Sequence, residues 1–215
     1  ILVVSGHWEE PQFTVGASAR PPMLFDYYGF PEHTYRLTFD APGPPALAAR
    51  ARALLEAAGF PTAQDDQRGY DHGVFVPLKL VTPEADIPVV QLSLRSDLDP
   101  AAHYAAGKAL APLRDEGVLI VGSGMSWHNM RGFSPAFTER SRAFDRWLGS
   151  VLADPATREA AIGDWAEAPH ARDAHPREEH LAPLFVAAGA GDGDPGRVDF
   201  RDEVMDVAVS ALRFG

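Results

Sequence analysis

The feature that most constrains this chain is the alternation of short apolar runs with helix-like stretches. ILVVSG at its start, IPVVQLSL at Ile87 to Leu94 and the run from Val118 to Gly122 are continuous and apolar, the pattern of strands covered on both faces. Between the first two, PPALAARARALLEAAG carries Pro near the first helical position, Ala and Leu at helical spacing, and Gly59 as a stop signal. Pro100 to Glu116 predicts a second helix, so the order reads as β-α-β and predicts an α/β fold. Phe137, Phe144, Leu148 and Val151 repeat at the spacing of an amphipathic helix. Further helices are expected at Ala156 to Trp165 and Arg177 to Ala188, and a closing strand, antiparallel or at a sheet edge, at Val204 to Phe214. GAGDGDPG between the last two is turn or loop.

The 215 residues are 46% hydrophobic, enough for one sizeable core, and no linker interrupts them, so a single domain spanning 1–215 is expected. Because Ile1 already lies inside a strand pattern, a missing N-terminal segment is expected ahead of it. A formal charge of -11 argues against nucleic acid or an anionic membrane as partner and favours small molecules. With no cysteine, disulfides and thiolate metal sites are excluded and nitrogen and oxygen ligands remain. No apolar stretch is long enough to span a bilayer and no signal peptide is visible, so a cytoplasmic location is expected.

Histidines stand where such a fold gathers ligands. His7 closes the first apolar run after Ser5 and Gly6, and His128 follows the third run through another Gly and Ser turn, both at expected strand carboxyl ends. His180 falls in the first turns expected of the last helix, four residues before Leu184 and so on its inward side. Neutral imidazole is the commonest metal ligand, and three such positions predict a metalloenzyme. Each alone has a plainer reading: a carbonyl-bonded strand-end histidine for His7, or a buried histidine capped by Glu178 or Glu179 for His180. His72, flanked by Asp71 and Gly73, suits a substrate-facing donor, acid or base, or equally a turn-stabilising loop histidine. His175 is expected to point into the same crevice, His170 into solvent, and His33 and His103 to be surface or packing residues. The rings of Phe25, Tyr27, Tyr28 and Phe30 either pack locally or wall a pocket for a planar ligand; Tyr28, Phe30 and Trp127 are the candidates for such a wall.

Taken together, VVSGHW, FDYYGFP, APGPPALA, YDHGVFVPL, PEADIPVVQLSL, GSGMSWHN and EEHLAPLFVAAGA resemble the class III extradiol ring-cleaving dioxygenases, the LigB-like superfamily, most closely its 4,5-DOPA dioxygenase-like branch. The resemblance implies a mixed central sheet flanked by helices and a mononuclear non-haem metal, Fe2+, with Zn2+ suited to the same donors. It implies His7 and His180 as metal ligands and His128 as either a further ligand or the acid and base. His72 would touch the substrate, a catechol that reacts with O2. Apart from the resemblance, Tyr28, Asp71 and His175 are the residues expected to bind that substrate. Family members carry a GHGSP-type motif with another ligand, and this chain begins after its place. Two alternatives accompany this reading: a Memo-like metal-binding or interaction protein without ring cleavage, and a zinc-dependent hydrolase in which the metal activates water. Whether the chain forms a homodimer is left open.

Overall fold

A computed structural model describes all 215 residues, Ile1–Gly215. The chain gathers into two compact units that share it in interleaved pieces: Ile1–Asp97 with Pro112–Ser123, and Leu98–Ala111 with Gly124–Gly215. The chain therefore passes between the units without any linker a sequence could betray.

The first unit is an α/β structure on a mixed five-stranded sheet. Its strands are β1 (Leu2–Glu10), β2 (Phe13–Gly16), β3 (Thr62–Asp65), β4 (Val90–Arg95) and β5 (Ile120–Ser123), in the order β3-β2-β4-β1-β5. β1 runs parallel to both neighbours, β4 and β5, which is why Leu2, Val3 and Val4 are buried on both faces and read as an unbroken apolar run. Only the β2–β4 pair is antiparallel. Helices α1 (Pro45–Ala57) and α2 (His72–Val81) pack on this sheet, and α4 (Pro112–Asp115) is a single turn leading to β5. α1 ends as its sequence predicts: Gly59 takes φ +88°, and the N–H groups of Gly59 and Phe60 close onto the carbonyls of Glu56 and Leu55.

In the second unit, α3 (Pro100–Leu110) is capped by the Asp99 carboxylate, which accepts from the Ala102 N–H at 2.6 Å. It packs closely against α8 (Ala182–Ala190), where a Cβ on Gly107 would sit 2.1 Å from the Val186 carbonyl oxygen and one on Gly189 2.0 Å from that of Tyr104. α5 (Thr138–Ala153) buries Ser141, Phe144, Asp145, Leu148 and Leu152, one stripe at helical spacing. α6 (Pro155–Gly163) and the turn α7 (Ala171–Ala174) follow. β6 (Gly196–Val204) and β7 (Val207–Phe214) form a separate antiparallel hairpin against α5. No helix is long and apolar enough to cross a membrane.

Several expectations are corrected. The helix expected over Pro100 to Glu116 breaks at Ala111, because Pro112 has no N–H to continue the ladder. The last helix begins at Ala182, not near Arg177. The closing strand pairs with β6, which the sequence reading had not separated from the preceding turn. Of the two readings of His103, surface or packing, the structure takes packing: the residue is fully buried in α3, its Nδ1 2.7 Å from the Asp99 carbonyl oxygen.

Candidate functional site

Each unit holds one cluster of metal-capable side chains, with donor atoms all within 4.8 Å of one another. In the first unit the cluster is His7, Asp26 and His72. β1 does not end before His7, as the sequence suggested; it continues through an irregularity and pairs again at Glu9↔Leu94. His7 sits inside that irregularity. His72 is the first residue of α2, and its N–H donates to Asp26 Oδ1 at 2.9 Å while its Nδ1 lies 2.8 Å from the same oxygen. The His7 and His72 rings stand 3.8 Å apart, and His7 Nδ1 is 3.8 Å from Asp26 Oδ2. Partial burial works to raise the Asp26 carboxyl pKa, but the hydrogen bonds from the His72 N–H and ring outweigh it and hold the group below its ordinary value.

In the second unit the cluster is His128, Glu179 and His180. The two imidazoles stack with centroids 3.4 Å apart and planes 13° from parallel. Glu179 Oε1 serves both, 3.4 Å from His128 Nδ1 and 3.1 Å from His180 Nδ1. Burial pushes the His128 pKa down against the opposing pull of Glu179, which favours the neutral, ligating form. His180 stands in the turn before α8, yet its side chain is only 10% exposed, so the inward direction held although the helical placement did not. The loop carrying His128 is pinned to the chain before Pro176: the His128 N–H donates to the Ala174 carbonyl at 3.0 Å and Asn129 Nδ2 to that of Asp173 at 2.9 Å. A cavity of about 330 Å³ opens beside it, lined by His128, Asn129, Arg131, Arg177 and Glu179 among others.

Both clusters offer imidazole and carboxylate donors without thiolate, a set that fits divalent iron or zinc. In the second, Glu179 Oε2 is buried without a hydrogen bond and has the Arg177 guanidinium 3.6 Å away, an acceptor that a closer cation would satisfy.

The three residues expected to line a substrate site are placed differently. Asp71 is 0% exposed and bonded by Ser5, Arg68 and Gln91, so its carboxylate is committed to protein partners. His175 is 0% exposed, its Nε2 3.1 Å from the Ser126 carbonyl oxygen, and burial lowers its pKa to about 4 despite that bond. Tyr28 is 91% exposed, and it is Tyr27 whose ring meets His72 edge-on at 5.7 Å. Trp127 is fully buried beside Phe137. Asp26 was missed, although a lone carboxylate in an aromatic loop was its signal; Glu179 was read only as a cap.

Comparisons with known proteins agree with one another. The family model for the catalytic LigB subunit of aromatic ring-opening dioxygenase matches residues 1–210. A protein of Beta vulgaris named 4,5-DOPA dioxygenase extradiol is 45% identical over 194 residues, covering 88% of this chain and 72% of its own. Its namesake in Escherichia coli (strain K12) is 37% identical over 227 residues, covering 100% of this chain and 78% of its own. The crystal structure of an uncharacterized Escherichia coli K12 protein matches with a TM-score of 0.79 at 31% identity, covering 100% of this chain and 85% of that one. On sequence and fold together, the chain belongs to the LigB family of aromatic ring-opening dioxygenases.

Proposed function

We propose that the chain is an extradiol dioxygenase that opens the ring of a catechol-type substrate with O2 at a mononuclear non-haem Fe(II) site. The observation that carries this reading is the stacked, half-buried pair His128 and His180 sharing one Glu179 oxygen. Relatives named 4,5-DOPA dioxygenase extradiol support the substrate class. Bound Fe(II) would supply open positions for a chelating diol and for O2 and let electrons pass between them.

In this reading His7 and His180 ligate the metal, and His128 is either a further ligand or the acid and base. In the acid-base role His128, with Nδ1 3.4 Å from Glu179 and its pKa lowered by burial, would use Nε2 to take the proton of a binding hydroxyl and return it as the ring opens. His72 gives its Nδ1 proton to Asp26 and so presents Nε2 as an acceptor to the second hydroxyl. Both oxygen atoms enter the product, so no further reductant is required.

The test is anaerobic reconstitution with Fe2+, followed by a catechol panel in air with O2 uptake recorded. Stoichiometric uptake with a coloured semialdehyde product is expected, and His180→Ala is expected to lose both iron and ring cleavage. Retained iron with normal turnover removes the ligand assignment; metal-dependent ester or amide cleavage without uptake replaces the reading with hydrolysis.

A further inference from the structure

β1 carries His7 through a stretch where its sheet partners give out. The ladder to β5 ends at Ser5↔Ser123, and against β4 the register jumps from Val4↔Leu92 to Glu9↔Leu94, leaving Ser5 to Trp8 opposite Ser93 alone. Main-chain groups in such a stretch need other partners. For His7 side chains supply them: its N–H donates to Ser5 Oγ at 3.2 Å and its carbonyl accepts from Arg68 Nη2, also at 3.2 Å.

One carboxylate holds both suppliers. Asp71 Oδ1 accepts from Ser5 Oγ at 2.8 Å and Oδ2 from Arg68 Nη2 at 3.1 Å, with Gln91 Nε2 on the same Oδ2. The hydrogens balance. Ser5 has one hydroxyl proton, committed to Asp71, so towards the His7 N–H its oxygen can only accept; Nη2 of Arg68 has two, one for Asp71 and one for the His7 carbonyl. α2 closes over the same atoms, since a Cβ on Gly73 would lie 2.6 Å from Ser5 Oγ and 2.8 Å from His7 Cδ2.

We propose that Asp71 is a positioning residue that fixes the main chain of His7 through Ser5 and Arg68 and thereby holds that imidazole ready for metal; the last step rests on the ligand role given to His7 above. The network acts on backbone, so it sets where the ring stands without touching the ring.

The experiment compares Ser5→Ala and Asp71→Asn with Tyr70→Phe. Tyr70 adjoins Asp71 and is equally buried, but its hydroxyl serves the Val89 and Ala41 carbonyls. Two quantities are read: hydrogen exchange of the His7 amide by NMR in metal-free protein, and Fe2+ affinity by anaerobic competition with a chelator. In Ser5→Ala and Asp71→Asn the His7 amide is expected to exchange faster, out of proportion to any change in the unfolding midpoint. Fe2+ affinity is expected to fall by about ten- to hundredfold, the usual cost of losing a group that orients a ligand. Tyr70→Phe is expected to lower the midpoint alone. Should Asp71→Asn fail to fold, Ser5→Ala, which deletes one hydroxyl, carries the test. Unchanged exchange at His7 in folded Ser5→Ala, or the same change in Tyr70→Phe, overturns the proposal. Faster exchange with unaltered Fe2+ affinity upholds the positioning and instead removes His7 from the ligands.

Discussion

Gly73→Ala sets two effects of known size against each other. Gly73 is the second residue of α2, and alanine there gains at most about 1 kcal/mol of helix propensity. Against this, the new methyl would lie 2.6 Å from Ser5 Oγ, 2.8 Å from His7 Cδ2 and 3.2 Å from Asp71 Oδ1. None of these is the loose end of a flexible side chain: Ser5 is tied to Asp71, and the His7 ring lies against that of His72. Overpacking of this kind costs about 1–3 kcal/mol, so the clash at least cancels the gain and a net loss of up to about 2 kcal/mol is expected. Gly163→Ala, at the end of α6 with nothing within 4 Å of the added carbon, is the internal standard and should gain about 0.4–1 kcal/mol. Urea unfolding of the metal-free proteins reads both. Because the Gly73 methyl must push His7 aside, ring cleavage should fall on the order of hundredfold, far more than the stability change alone would cause. A Gly73→Ala protein as stable as Gly163→Ala, with Fe2+ affinity intact, would refute the packing on which this reasoning stands.

Two further outcomes follow from buried charge and buried imidazole. His175 is held neutral by burial with a pKa of about 4, so the unfolded chain binds its proton first as pH falls and stability is lost from about pH 6.5 down to about pH 4. Between about pH 7 and pH 5 that loss is about 2 kcal/mol, and in His175→Gln the urea midpoint should lose this part of its acid sensitivity; an identical slope in the variant would contradict the assignment. Arg158 is fully buried and donates to the carbonyls of Leu152 and Gly191, both at 3.0 Å, and to that of Asp194. Arg158→Met strands these acceptors and should cost about 3 kcal/mol or more in urea unfolding; a loss below about 1 kcal/mol would show that water replaces the guanidinium.

What the sequence displayed depended on how local the cause was. α1 was legible because Pro45 and Gly59 are chemical stop marks at its own ends. The central strands were legible because a strand paired in parallel on both sides must be apolar throughout. The start of α8 was not, since Pro176 to Leu181 carries residues that would serve a helix equally well and only tertiary packing selects a turn. The histidines of the two clusters stand out in the sequence by spacing and resemblance, whereas Asp26 and Glu179 meet them only through folded geometry: Asp26 lies 46 residues from His72. The partners of Asp71 were equally hidden: at the N-cap of α2 its side chain is buried and bonded to Ser5, Arg68 and Gln91, the first and last of which lie far from it in sequence.

Because β1 resumes its pairing beyond His7, the imidazole hangs from a span moored at both banks, not from a jetty. Shortening that span by one residue would either unmoor Glu9 and Glu10 from Leu94 and Arg95 or swing every side chain between to the opposite side. The number of residues from Ser5 to Trp8 therefore places the His7 ring as firmly as the side chains of that span do.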